Sequence, residues 1–247
     1  MPHNRYFLES IFTTQAEVLL IGEEAHHLTR VMRKNKGDEV ELINGKHQLA
    51  FATIERIEKK EVRLHISEVT EQSPPKRALI ICQALARFNR LETITEKGTE
   101  LGMTALWLFP GHLSEKKDLS ANQINRLRAI AIAALKQSGR LDLPPIVLYP
   151  PLEKWKSIEF PAYFGDLGPD APPLLMALSE CPSDDFIFFV GPETGFSSSE
   201  KDRLCELQAQ GVRLHPNILR TDTASLTALS VISNYFLTHQ TITPSKN

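Results

Sequence analysis

An α/β fold is predicted for this chain: a mostly parallel sheet with helices on both faces, preceded by a small β domain. Three observations predict it. Short strand-like segments with tight turns fill the first 72 residues. The stretch Glu71-Gln72-Ser73-Pro74-Pro75-Lys76 then sets two prolines after polar residues, which favours an extended connector. From there on strand-like and helix-like segments alternate, the pattern of a parallel sheet buried on both faces. The division expected is residues 1–72, a linker at 73–76 and a larger domain at 77–247.

In the first part, Glu39-Val40-Glu41-Leu42-Ile43 leads into Asn44-Gly45, a strong hairpin signal. Leu49 to Ile54 follows, then Val62-Arg63-Leu64-His65-Ile66, which alternates apolar and polar residues as a half-buried strand does. Such strands suggest a small β-barrel. One helix interrupts them, Glu23 to Lys34, with Ala25, Leu28, Val31 and Met32 as its apolar face.

In the second part, Ala78-Leu79-Ile80-Ile81-Cys82 reads as a buried strand, and Leu91, Ile94, Gly98 and Leu101 as one face of a helix. Ala105 to Phe109 is the next strand and Asn122 to Gln137 the next helix, with Gly139 where a helix C-cap glycine belongs. Ile146-Val147-Leu148 and Phe186 to Val190 are further strands. A helix opening at Ser197 has Glu200 three residues on, a capping box. Val212-Arg213-Leu214 is a last short strand and Thr223 to Leu237 a closing apolar helix. Ligands of open parallel sheets bind beyond the carboxyl ends of the strands, so attention falls on the loops after Val190 and Leu214.

Composition narrows the function classes. The chain has 247 residues, 42% hydrophobic and 23% charged, as soluble globular chains do. Net charge is −2, so contact with nucleic acid must come from local basic patches. Cys82, Cys181 and Cys205 form no CxxC pair, which fits a reducing compartment better than a disulfide scaffold or zinc ribbon. The N-terminus lacks a signal-peptide core and no apolar run reaches membrane-spanning length. A cytoplasmic protein with no membrane association and no metal is expected. No GxSxG elbow, HExxH or phosphate-loop pattern is present.

Four segments carry candidate chemistry. Gly191-Pro192-Glu193-Thr194-Gly195-Phe196 places two glycines at a strand-to-helix turn, where backbone can approach a ligand closely; a sharp turn without a ligand reads equally well. In Ile218-Leu219-Arg220-Thr221-Asp222-Thr223-Ala224, Thr221 or Asp222 suits a helix cap. Arg220 does not suit a helix start and better serves an anionic or carbonyl oxygen. Lys136-Gln137-Ser138-Gly139-Arg140 reads first as a helix end with basic residues. Finally, residues 30 to 36 carry Arg30, Arg33, Lys34 and Lys36 with no acidic residue, and His26, Arg30, Arg33 and Lys34 can share a helical face. That is either a solvated face or a phosphate-contact patch.

Taken together and in this order, the segments resemble the bacterial 16S rRNA (uracil-N3)-methyltransferase family, ribosomal small subunit methyltransferase E. Arg5-Tyr6-Phe7 is similar to its Arg-aromatic-aromatic start, and His26 to Arg33 to its His-Leu-x-x-Val-Leu-Arg helix. Lys97-Gly98-Thr99-Glu100-Leu101-Gly102, Gln137-Ser138-Gly139-Arg140, Gly191 to Phe196 and Leu219 to Ala224 resemble its Lys-Ala-Thr-Glu-Leu-Gly, Gln-Ser-Gly-Arg, Gly-Pro-Glu-Gly-Gly-Phe and Leu-Arg-Thr-Glu-Thr-Ala segments. Departures stand at Thr194 (glycine in the family), Lys136 (glutamate), Asp222 (glutamate) and Arg87-Phe88-Asn89 (Lys-Gly-Asp). A positive φ at Thr194 would be strained.

The resemblance implies a PUA-like N-terminal β-barrel, a C-terminal SPOUT domain with a deep trefoil knot, S-adenosyl-L-methionine as cofactor, 16S rRNA of the small ribosomal subunit as substrate, and a homodimer. The cofactor-binding residues expected on that basis are Gly191, Pro192, Glu193, Thr194, Gly195, Leu214, Leu219, Thr221, Thr223 and Ala224. Glu193 or Asp222 is expected to accept the N3 proton, and Arg220 to stabilise charge on the flanking carbonyl oxygens. Arg5, His26, Arg30, Arg33, Lys34, Lys36 and Arg140 are the expected RNA contacts. Part of the last helix, with Leu226, Leu229, Ile232, Ser233 and Phe236, is expected in a dimer interface. The alternative is a non-catalytic RNA-binding assembly factor that keeps the fold, motivated by Thr194 and Lys136. A small-molecule α/β enzyme unrelated to RNA is a third reading.

Overall fold

The computed structural model describes residues 4–181 and 183–239. They fall into two compact units. One runs up to Pro74 and includes Ile132–Leu143; the other comprises Pro75–Ala131 and the chain from Pro144 on.

The first unit is built on a curled five-stranded sheet of β1 (Arg5–Phe7), β2 (Glu17–Ile21), β3 (Glu39–Ile43), β4 (Gln48–Ile57) and β5 (Glu61–Glu71). Its order is β1-β3-β4-β5-β2, antiparallel except for the β1–β3 pair. The period-2 pattern has its expected consequence: Val62, Leu64 and Ile66 of β5 are fully buried, as are Ala50, Ala52 and Ile54 of β4, around Tyr6, Leu20 and Leu28. The β3–β4 connection runs from Asn44 to His47, longer than a two-residue turn at Asn44-Gly45, with positive φ at both Gly45 and His47. Gly45 has φ +72°, and a Cβ there would lie 2.9 Å from Leu143 Cβ, so only glycine fits.

The single helix expected from Glu23 to Lys34 is not formed as such. α1 covers Gly22–His26, and His27–Val31 continues as one widened π-helical turn. Arg33 then takes a left-handed φ of +52°, across which the Lys34 amide reaches the Leu28 carbonyl at 3.1 Å. Arg33 and Lys34 therefore do not share a helical face with His26 and Arg30. Nor do Val31 and Met32 belong to the buried side: they are 59% and 37% exposed, while Ala25 and Leu28 are buried. Only two of the four expected apolar positions reach the core, because the widened turn from His27 to Val31 rotates the later ones off the buried face.

The second unit holds a six-stranded sheet of β6 (Leu79–Ala84), β7 (Ala105–Phe109), β8 (Ile146–Leu148), β9 (Ala162–Gly165), β10 (Phe186–Val190) and β11 (Gln210–Val212). Its order is β11-β9-β10-β6-β7-β8, and every neighbouring pair is parallel. α2 (Phe88–Glu100), α4 (Leu174–Glu180) and α6 (Thr221–Thr238) cover one face, and α5 (Ser198–Glu206) lies on the other. α3 (Ala121–Ser138) contributes its last residues to the first unit. Burial on both sides explains the unbroken apolar runs. In β10, Phe186, Phe188 and Val190 point to the α6 side, while Ile187 and Phe189 point to the α5 side with Leu204 and Trp155.

Two boundaries differ from expectation. β11 is Gln210–Val212 rather than Val212–Leu214, so Leu214 lies beyond the strand end. α6 begins at Thr221, two residues before Thr223. Leu229, Ile232 and Phe236 of α6 are buried in the chain's own core, so most of the apolar surface expected on this helix is used there.

Candidate functional site

Strand order in the second unit reverses at β6, whose neighbours are β7 on one side and β10 on the other. Open parallel sheets bind ligands beyond the carboxyl ends of the strands near such a reversal. A cavity of about 420 Å³ lies there, walled by the ends of β9 and β10, by the turn at 191–196 and by the segment from Leu214 to Ala224. That volume falls within the range of small-molecule sites.

The turn after β10 is shaped by its glycines. The Gly195 amide donates to the Pro192 carbonyl at 2.9 Å, and Gly195 has φ +79°. A Cβ on Gly191 would lie 3.0 Å from the Gly195 carbonyl carbon and the Phe196 nitrogen, so the turn closes on itself only with glycine there. Thr194 is not among the residues with positive φ, so the strain considered for it does not arise. Its hydroxyl donates to the Leu113 carbonyl at 3.1 Å. The capping box at the head of α5 is formed as expected: Ser197 accepts from the Glu200 amide, and Glu200 accepts from the Ser197 amide.

The second segment is pinned to the first. Thr221 Oγ1 donates to the Gly191 carbonyl at 2.7 Å and accepts from Gln83 Nε2 at 2.9 Å. Gln83 sits on β6 in register with Val190 and is fully buried. Its amide also donates to the Ala84 carbonyl at 2.8 Å, and its Oε1 accepts from Ser225 Oγ at 2.8 Å. One buried amide thus ties β6 and α6 into a network that includes the 191 turn. Because Thr221 spends its hydroxyl on Gly191, it does not cap α6. Neither does Asp222: the N-cap is Arg220, extended at φ −67° and ψ 157°, with no side-chain cap bond.

Of the residues expected around a cofactor, Gly191, Pro192, Glu193, Thr194, Gly195, Leu214, Leu219, Thr221 and Ala224 all line the cavity. Thr223 is exposed and does not. Of the expected catalytic residues, Glu193 lines the cavity and is exposed; its Oε1 accepts from the Arg87 amide at the head of α2 at 2.9 Å. Arg220 is exposed beside the cavity-lining Leu219 and Thr221. Asp222 is buried and turned away: its Oδ2 meets Arg90 Nη1 of α2 at 2.9 Å.

Sequence reasoning missed Gln83, Arg90 and the wall at Gly165-Asp166. Cβ atoms on Gly165 and Gly195 would meet nothing within 4 Å, so both positions leave the cavity clear. Asp166 Oδ1 accepts from Lys201 Nζ at 2.8 Å at the cavity wall. That hydrogen bond holds the carboxyl below its usual range.

The expected RNA contacts lie in the first unit. His26, Arg30, Arg33 and Lys36 are exposed and Lys34 is half-buried. Arg5 is largely buried and paired with Glu41 at 2.8 Å. Arg140 pairs with Asp142, and Lys136 pairs with Glu24 at 2.6 Å. Among the described residues no three His, Cys, Asp or Glu side chains gather as a metal site requires. Among them, too, no helix is long and apolar enough to cross a membrane.

A family profile described as RNA methyltransferase domain matches residues 72–233, and one described as RNA methyltransferase PUA domain matches residues 20–67. Ribosomal RNA small subunit methyltransferase E of Bacillus subtilis is 30% identical, covering 93% of this chain and 95% of that protein. The protein of the same name from Buchnera aphidicola is 25% identical, covering 94% and 93%. Among solved structures, ribosomal RNA small subunit methyltransferase E from Neisseria gonorrhoeae, bound to S-adenosyl methionine, superposes with a TM-score of 0.80. It is 25% identical, covering 94% of this chain and 97% of that one.

Proposed function

Because the chain belongs to the ribosomal RNA small subunit methyltransferase E family, we propose that it methylates N3 of one uridine in 16S rRNA. It is an S-adenosylmethionine-dependent ribosomal RNA methyltransferase with a SPOUT-type α/β domain and an N-terminal PUA domain. The observation that carries the reading is the junction of the two turns, Thr221 on Gly191, around one cavity.

The cavity suits the cofactor. Phe188, Phe196, Leu214 and Leu219 supply apolar wall for a base, the backbone of 191–196 and 214–219 supplies polar groups, and Gly165 and Gly195 leave room. When bound, the cofactor supplies a methyl group already activated on a sulfonium sulfur, so the protein mainly positions and deprotonates.

Uracil N3 carries a proton and is a poor nucleophile until it is lost. Glu193 is the proton acceptor in this reading. Its Oε1 is held by the Arg87 amide, which leaves Oε2 for the substrate. Asp222, buried and paired with Arg90, is not placed for that role. Arg220 stands at the rim to stabilise charge on a carbonyl oxygen. The target base leaves its stack to enter. Arg30, Arg33 and Lys36, exposed and without an ion pair among the described residues, grip phosphates with His26 and Lys34. Arg5 and Arg140 shape the first unit through Glu41 and Asp142 instead. The reading includes the trefoil knot, a homodimer and a cytoplasmic site of action.

The non-catalytic alternative loses its motivation. Thr194 adopts an unstrained φ and Lys136 is occupied by Glu24.

The test is transfer of labelled methyl to small-subunit particles from a strain lacking this enzyme, followed by nucleoside analysis. Label in N3-methyluridine is expected. Label on a ribose, or none, contradicts the reading.

A further inference from the structure

Resting on the reading of the cavity as the S-adenosylmethionine site, we propose that the Asp166–Lys201 pair binds the amino-acid end of the cofactor, Lys201 taking its carboxylate and Asp166 its ammonium.

Neither residue belongs to the segments that resemble the family, and both line the cavity. Asp166 follows Gly165, the last residue of β9, and Lys201 stands near the head of α5. Lys201 Nζ donates to Asp166 Oδ1 at 2.8 Å. The carboxyl is held on its other sides too. Its Oδ1 also accepts from the Leu167 amide at 2.9 Å, and the Gly168 amide bonds to it as well. The Asp166 amide donates to the Val212 carbonyl at 2.9 Å. A Cβ on Gly211 would lie 3.2 Å from both Cβ and Oδ2 of Asp166, so glycine there makes room for this side chain. Lys201 thus has a fixed partner on one side, while 44% of its side chain stays exposed. Among the described residues its ammonium donates to Asp166, and the rest of its N–H groups are left for a ligand.

Charge selects the ligand group. Among the described residues, the lining Asp, Glu, Lys and Arg side chains are Asp166, Glu193 and Lys201, two carboxylates and one ammonium. His215 lines the cavity with Nδ1 accepting from the Asn217 amide at 3.1 Å, as an uncharged ring does. S-adenosylmethionine carries the opposite set, a sulfonium, an ammonium and a carboxylate. Its carboxylate therefore has Lys201 as the lining cation. Glu193 is tied to α2 through the Arg87 amide and serves the reacting end beside the sulfonium methyl. Asp166, next to Lys201, is left for the ammonium. The carboxylate and ammonium of an amino acid sit on one carbon, and an ion pair of opposite order meets both together. A carboxylate offers about four lone-pair sites, so Asp166 keeps room for one more donor after Lys201, Leu167 and Gly168.

The experiment measures ligand binding by the full chain as parent, Lys201→Met, Lys201→Arg and Asp166→Asn, with thermal melting to confirm folding. One probe is S-adenosylhomocysteine, followed by calorimetry. The other is 5′-methylthioadenosine, which keeps the adenosine and lacks the amino-acid end, followed by ligand-detected NMR. Lys201→Met is expected to bind S-adenosylhomocysteine about tenfold more weakly, as loss of one charge-assisted hydrogen bond does. Its affinity for 5′-methylthioadenosine is expected to stay within about threefold of the parent. Asp166→Asn is expected to lose affinity for S-adenosylhomocysteine alone. Lys201→Arg keeps a cation and is expected to recover most of the loss. A Lys201→Met affinity for S-adenosylhomocysteine within about threefold of the parent overturns the proposal. An equal loss on both probes overturns it too, because the pair would then face the adenosine or only shape the cavity. So does a loss in Lys201→Arg as large as in Lys201→Met. Failure of the underlying reading is seen separately, as a parent that binds neither probe.

Discussion

Thr221 Oγ1 donates to the carbonyl of Gly191 at 2.7 Å, joining two chain segments that lie 30 residues apart in sequence. The hydroxyl also accepts from the buried amide of Gln83. Thr221→Val keeps the shape of the side chain but removes its bond to the Gly191 carbonyl, which is left with only the longer contact from Gln83 Nε2 at 3.2 Å. Loss of one buried hydrogen bond costs about 0.5–1.5 kcal/mol. Cofactor affinity measured by calorimetry is expected to fall by up to roughly tenfold, with the fold kept. Parent-like affinity in this variant would mean the two turns hold their places without the bond.

Phosphate contact by the first unit is tested by reversing charge at Arg30, Arg33 and Lys36, which are exposed. Each phosphate contact adds about 0.9 to the slope of log affinity against log salt. The triple glutamate variant is expected to bind small-subunit RNA more weakly, with a slope smaller by about 2–3. Its affinity for S-adenosylmethionine is expected to be unchanged, because the cavity belongs to the second unit. An unaltered salt slope contradicts the assignment.

Asp166 gives a pH-dependent element at the cavity wall. Its hydrogen bond from Lys201 holds the carboxyl below its ordinary value. A depressed carboxyl contributes stability above the unfolded-state value and loses it as pH falls through the folded-state value. The contribution is thus present at neutral pH and disappears on acidification. In Lys201→Met the carboxyl is expected to titrate higher than in the parent, because the hydrogen bond and charge of Lys201 are gone. Carbon NMR of the Asp166 carboxyl reads this directly, and an inflection unmoved by the substitution would mean that Lys201 is not the cause.

The homodimer is tested by light scattering at micromolar concentration. Two chains per particle are expected. α6 buries Leu229, Ile232 and Phe236 in its own unit, while Leu237 is 63% exposed and available to a partner. A monomeric mass removes the dimer from the account.

Much of the fold could be read from sequence where period and length were unambiguous. The apolar runs at 79–84, 105–109 and 186–190 became central parallel strands because only strands buried on both faces tolerate such runs. The capping box at Ser197 and Glu200 was legible because it is local. β9 and α4 were not, since Ala162–Gly165 and Leu174–Glu180 are short and flanked by prolines that obscure periodicity. The helix at 22–31 was misjudged in length because a left-handed Arg33 ends it, and arginine carries no signal for that conformation. At the site, the two loops were marked by glycine and by motif. Gln83 and Arg90 were not marked, because an amide inside an apolar strand and an arginine on a helix acquire their partners only through tertiary structure. Asp222 showed the converse: its sequence position suggested chemistry, and its burial against Arg90 makes it an anchor.

A crystal structure of the chain with S-adenosylhomocysteine tests the central claim most directly. The account predicts the ligand between the turn at 191–196 and the segment from Leu214 to Ala224, with the Thr221–Gly191 bond intact. Ligand bound elsewhere, or that cavity left empty at saturating concentration, would contradict it.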